Sequence, residues 1–194
     1  MWIKVNLEMP ALSTTAAFSG YRPTKLPEQG SKRVQTNLQT RLRNAILETL
    51  NRGYTTYLNG CMAGWDILAA EVVLELRKAY PEIKCISVAP FRRAFLVGPN
   101  WTPEWKARAL AVYRQSDQAF ALEEQYRRGI YYARDRFLID HAALLICYYD
   151  GQPGGTSYTV HYAESKGHEM INLAREQRMG EKPFEINGCY QENR

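Results

Sequence analysis

The chain has 194 residues, of which 45% are hydrophobic and 23% charged, enough for one domain with a real core and unlike a disordered or fibrous sequence. A formal net charge of +5 and a pI near 9.0 favour anionic partners without choosing among nucleotides, nucleic acid and acidic lipid. The four cysteines form no CxxC pair and the three histidines lack HExxH spacing, which excludes the usual zinc and disulfide scaffolds.

Neither a metal nor a cofactor is expected, and the thiols read as reduced in a cytoplasmic protein. Lys4, Glu8 and Pro10 precede any long apolar run, so the first residues do not read as a signal peptide. No stretch has the uninterrupted apolar length of a membrane helix, so no membrane partner is expected.

Residues 1–14 read as an irregular extension or an added edge strand, and residues 176–194 as a polar tail. Between them, over 15–175, strands and helices alternate. Ala16–Ser19 is a short buried strand that stops at Gly20-Tyr21-Arg22-Pro23, followed by a polar loop with Pro27 and Gly30. Lys32–Asn51 carries Leu38, Leu42, Ala45, Ile46 and Leu50 at helical spacing and ends before Gly53. Tyr54–Leu58 is the second strand, and Gly64–Tyr80 a helix that Pro81 terminates. Lys84–Ala89 is the third strand, stopping at Pro90. A loop through Trp101 leads to a helix over Pro103–Gln115, with proline in the first turn. Strand Gln118–Leu122, helix Ile130–His141, strand Ala142–Tyr149, helix Thr156–Lys166 and strand Glu169–Leu173 complete the series.

This order predicts an α/β, Rossmann-like fold: a mainly parallel sheet with right-handed crossovers and helices on both faces. Ligands of such sheets bind outside the carboxyl ends of the strands. Three glycine-rich turns follow strands there, namely Gly20-Tyr21-Arg22-Pro23, Gly60-Cys61-Met62-Ala63-Gly64-Trp65-Asp66 and Asp150-Gly151-Gln152-Pro153-Gly154-Gly155-Thr156. Two of them open helices, and a helix start with glycines presents backbone N–H groups to an anion. The P-loop and GxGxxG fingerprints are both absent.

Asp66, in a first helical turn, either complements the helix dipole or accepts ribose hydroxyls. Arg22, Arg134 and Arg136 offer bidentate phosphate recognition, whereas Arg92-Arg93 and Arg127-Arg128 read as solvated pairs. Tyr21, Trp101 and Trp105 are aromatics near the same edge, each packing in the core or stacking on a base. An Arg134 that serves a ligand should be removable without unfolding the chain.

These motifs, with Ala69-Ala70-Glu71, Arg134-Asp135-Arg136 and Tyr162-Ala163, resemble the YpsA-like family of the SLOG superfamily from about Ala17 to Leu173. That superfamily also holds the DNA-processing protein DprA and the LOG phosphoribohydrolases. The resemblance implies a nucleotide-derivative pocket built from Gly20, Tyr21, Arg22, Gly60, Gly64, Asp66, Arg134, Arg136, Asp150, Gly154, Gly155 and Thr156. LOG enzymes carry PGGxGTxxE, whose glutamate works with an upstream arginine in N-glycosidic cleavage. Here Thr156 is followed by Ser157-Tyr158-Thr159-Val160, and Glu164 stands two turns along the helix.

That departure weighs against hydrolysis and favours binding or sensing of a nucleotide or ADP-ribose-like molecule. One alternative is a LOG-type nucleoside-monophosphate phosphoribohydrolase using Arg134 with Asp66 or Glu71. A second is DprA-like single-stranded DNA binding, placed behind the others because no long basic stripe is present. A homodimer is an expectation by analogy alone.

Overall fold

The computed structural model describes residues 9–26, 32–94 and 101–174. Most of the expected extension, the loop through Pro27 and Gly30, and the C-terminal tail lie outside them. Of the extension, Leu12–Thr14 forms one 3-10 turn leading into the first strand.

Six strands, β1 (Thr15–Gly20), β2 (Thr56–Asn59), β3 (Lys84–Phe91), β4 (Gln118–Glu123), β5 (Leu144–Tyr148) and β6 (Glu169–Asn172), form one sheet in the order β4-β3-β2-β1-β5-β6. Every pairing is parallel. Five helices alternate with them: α1 (Lys32–Asn51), α2 (Trp65–Leu76), α3 (Pro103–Gln115), α4 (Ile130–Asp140) and α5 (Gly155–Ser165). The fold is the Rossmann-like α/β architecture that the alternation predicts.

Both faces of the central strands are covered. β1, β2 and β5 are buried almost throughout, as strands covered on both faces are. Helices α1, α2 and α3 pack side by side, and α4 packs on α5. Right-handed crossovers place the first three on one face and the last two on the other. The chain runs outward from β1 through β4, returns across the sheet with α4, and resumes beside β1 at β5. The reversal therefore lies between β1 and β5, where a crevice opens at the carboxyl ends of an α/β sheet.

Most elements begin or end within one or two residues of the sequence reading, and the ends of β3 and α2 have a local cause. Strand β3 passes through Pro90 to Phe91, which pairs with Glu123, because proline's fixed φ remains compatible with extended chain even without its donor. Helix α2 ends at Leu76, and residues up to Tyr80 continue as turns bonded back to Glu75 and Leu76.

Candidate functional site

The crevice between β1 and β5 is a cleft of about 510 Å³, in the range of small-molecule sites. Its walls come from the turn after β1, the start of α2, the first turns of α4, and the loop into α5.

The turn after β1 is held by close packing against α2. A Cβ on Gly20 would stand 2.3 Å from Trp65 Cγ, so the glycine is what admits that fully buried indole. Gly64 has φ of +101°, and a Cβ there would stand 2.4 Å from the Tyr21 carbonyl oxygen. The Trp65 N–H donates to that carbonyl at 3.0 Å. This helix start is thus engaged by protein, and α2 does not form the second open anion cradle that its glycines suggest.

Helix α5 is different. Gly154, at φ +149°, precedes it without a side-chain cap, and Tyr158 N–H, bonded to Gly154 O, is the first intrahelical donor. The N–H groups of Gly155, Thr156 and Ser157 have no intrahelical acceptor. No atom lies within 4 Å of a Cβ built on Gly154 or Gly155. The α5 start opens onto the cleft.

Tyr21 ties the two loops together. Its hydroxyl donates to Asp150 Oδ1 and accepts from the backbone N–H of Gln152 at 3.3 Å and of Asp150 at 3.4 Å. Burial, then the hydrogen bond to Asp150, pushes its pKa up to about 12. The hydroxyl therefore stays a donor at neutral pH.

One arginine and two carboxylates meet at the base of the cleft. Arg134 Nε donates to Asp135 Oδ1 at 2.8 Å, and Nη1 reaches Asp66 Oδ2 at 3.4 Å and the Gly60 carbonyl. Asp66 Oδ2 also accepts from the Met62 N–H at 3.3 Å. The Arg134, Asp66 and Asp135 side chains are only 6%, 9% and 12% exposed. Burial raises the pKa of both carboxyls, opposed in each case chiefly by Arg134. Burial works against the charge on Arg134, but Asp135 and Asp66 outweigh it and the net shift is upward.

Arg22 stands apart. It lines the cleft half-buried, and among the described residues its guanidinium makes no hydrogen bond or ion pair. Burial lowers its pKa, with Asp66 opposing and Arg134 reinforcing. Arg22 thus shares the cleft with the open start of α5, and both favour negative charge.

The structure brings Gly20, Tyr21, Arg22, Asp66, Arg134, Gly154, Gly155 and Thr156 to this cleft. Four other residues of the sequence reading stand off it. Gly60 lies beneath Arg134, where a Cβ would fall 1.5 Å from Nη1, and Gly64 is behind the Tyr21-Arg22 backbone. Asp150 anchors Tyr21, and Arg136 donates to the Tyr158 hydroxyl at 2.9 Å on the exposed side of α4. Arg134 is enclosed by ion pairs, so the expectation that its loss leaves the fold untouched does not hold on this geometry.

Glu71 forms a two-point pair with Arg108, and the Arg108 guanidinium covers the Trp105 ring at 4.1 Å; neither Glu71 nor Trp105 lines the cleft. Arg92 and Arg127 pair with Glu124 and Glu123. Tyr131, Tyr132, Asp135 and Thr159 also line the cleft, and the sequence reading did not single them out for it. The spacing of Arg134, Asp135 and Tyr131 from the α4 start was the one available signal, since residues three or four apart share a helix face.

Comparison with known proteins agrees with this architecture. DNA processing protein A of Helicobacter pylori superposes with a TM-score of 0.53 at 16% identity, covering 82% of this chain and 64% of that one. The Streptococcus pneumoniae protein gives 0.51 at 21% identity, covering 80% of this chain and 48%, about half, of its own. These likenesses concern the fold. In sequence, the UPF0398 protein YpsA of Bacillus subtilis is 26% identical over 155 residues, 77% of this chain and 84% of its own length. The profile described as the YspA SLOG family matches residues 16–175, and the chain belongs to that family.

Proposed function

We propose that the cleft binds the phosphate of a nucleotide or nucleotide derivative, and that the protein recognises this ligand without cleaving it. The observation that carries the reading is Arg22, a half-buried guanidinium without a bonded partner among the described residues, at the same cleft as the uncapped α5 start. In this reading the N–H groups of Gly155 and Thr156 meet the phosphate and Arg22 supplies the charge. Arg134 contributes indirectly, by holding Asp66 and Asp135 in place. Asp66 faces the ribose.

The carboxylates support binding over hydrolysis. Asp66 and Asp135 are both committed to Arg134, and Glu71 is committed to Arg108. Thr159, three residues after Thr156, turns its hydroxyl to the Gly155 carbonyl at 3.1 Å. None of these groups resembles a general acid poised at a glycosidic bond.

Calorimetry with nucleoside monophosphates, nucleoside diphosphates, ADP-ribose and inorganic phosphate tests the reading. A charge-assisted bond contributes about 1.5–3 kcal/mol, so Arg22→Gln is expected to weaken binding at least tenfold. Its thermal midpoint should hardly move, because Arg22 has no ion pair among the described residues. Gly155→Val should abolish binding by filling the phosphate space. Binding that ignores both substitutions would refute the proposal, and rapid base release would move the assignment to a phosphoribohydrolase. The H. pylori relative binds single-stranded DNA; tighter binding to an oligonucleotide than to any mononucleotide, with a steep salt dependence, would transfer that property here.

A further inference from the structure

We infer that Tyr132 is the platform on which the ligand's planar base stacks. The ligand class is then an aromatic-base nucleotide, and a bare sugar phosphate is a poor one. This inference rests on the phosphate reading above and adds a second contact point to it.

Tyr132 lies in the first turn of α4 and lines the cleft, yet 48% of it is exposed. The other aromatic rings of the neighbourhood are already occupied. Tyr21 meets Tyr148 and Tyr149 edge-on, Tyr131 stands edge-on to Phe91, and Trp65 is fully buried. Tyr132 combines a cleft position with a large exposed surface.

Its ring is also braced. Tyr158 packs against it with centroids 4.5 Å apart and an interplanar angle of 59°. The Tyr158 hydroxyl accepts from Arg136 Nη1 at 2.9 Å, and its ring lies parallel to Tyr162 at 6.3 Å. Tyr162 in turn donates to Asp140 Oδ1 at 2.9 Å. Such bracing limits the ordering entropy that a freely rotating tyrosine would lose on binding. It also gives Arg136 a role, as a support behind the platform. Tyr158 belongs to the first turn of α5, so the platform is joined to the helix whose start faces the phosphate. Base–aromatic stacking tolerates any base because every base has a π face, so Tyr132 predicts affinity for nucleotides as a class.

The test compares AMP, ribose 5-phosphate and adenosine on the full chain and on Tyr132→Ala and Tyr132→Phe. In the unmodified protein AMP should bind about tenfold or more tighter than ribose 5-phosphate, the stacking contribution. Tyr132→Ala should erase that difference while leaving ribose 5-phosphate affinity unchanged, and Tyr132→Phe should restore it. Equal affinities for AMP and ribose 5-phosphate in the unmodified protein would overturn the inference. So would a Tyr132→Ala protein that loses both ligands to the same extent. Adenosine binding that depends on Tyr132, with no gain from the phosphate, would keep the platform and overturn the phosphate reading. If none of the three binds, both fall.

Discussion

Replacing Arg134 with methionine should destabilise the protein in a pH-dependent way. The substitution keeps much of the side-chain volume but removes the cation that faces Asp66 at 3.4 Å and Asp135 at 2.8 Å. Taking one partner from a buried ion pair costs about 3–5 kcal/mol, a large part of the roughly 5–15 kcal/mol that holds a domain together.

The sign of the pH effect follows from the shifts. Burial already raises both carboxyl pKa values, and Arg134 is the largest opposing influence on each. Without it the folded-state values climb further above the unfolded ones. A carboxyl with a raised folded pKa contributes its stability below the unfolded value, near pH 4, and loses it as pH rises through the folded one. The variant's deficit should therefore be largest near pH 8 and shrink on acidification.

Urea unfolding of both proteins at pH 8 and pH 5 measures this. The deficit at pH 5 should be smaller by at least about 1.4 kcal/mol, one pKa unit's worth. Asp66→Asn in the same chain should recover part of the loss at pH 8, since it removes one of the stranded charges. A deficit equal at both pH values would refute the electrostatic argument and leave only lost packing. No deficit at all would mean that Arg134, Asp66 and Asp135 are not coupled as their geometry states.

Three further outcomes are expected. Gly60→Ala should cost about 1–3 kcal/mol in urea unfolding, as overpacking does, because its Cβ would fall 1.5 Å from Arg134 Nη1 against a backbone carbonyl contact. Tyr21→Phe deletes the hydroxyl that holds Asp150 and Gln152; it should lower stability by about 1 kcal/mol and weaken phosphate binding severalfold, read by calorimetry. Cys61 and Cys85 are pushed by burial to pKa values of about 12 and about 11. Both should resist thiol reagents at pH 8 in the native protein and react on unfolding, as peptide mass mapping would show.

What the sequence determined by itself is the periodic part of the molecule. Apolar runs such as 144–148, bounded by turn residues, read as strands covered on both faces, and the spacing of Leu38, Leu42 and Ile46 reads as a helix facing a core. Their alternation requires parallel pairing, and parallel pairing sends the glycine turns after β1, β2 and β5 to one edge. Those inferences need local pattern and chain chirality alone. Motif resemblance, carried by Gly20-Tyr21-Arg22-Pro23 and the glycine-rich loop before α5, then pointed to the family that the profile over residues 16–175 shows.

Only the tertiary structure decided what each residue at that edge does. Gly60 and Gly64 look like phosphate-loop glycines, but they exist to admit Arg134 and the Tyr21-Arg22 backbone. Arg22 and Arg134 are both arginines at the cleft, and only their surroundings separate a cation with no bonded partner among the described residues from one spent on two carboxylates. Tyr132 owes its place as a rim aromatic to a ring 26 residues later in the chain. Local sequence carries backbone preference and periodicity, whereas charge pairing, close approach and exposure depend on residues brought together from distant segments.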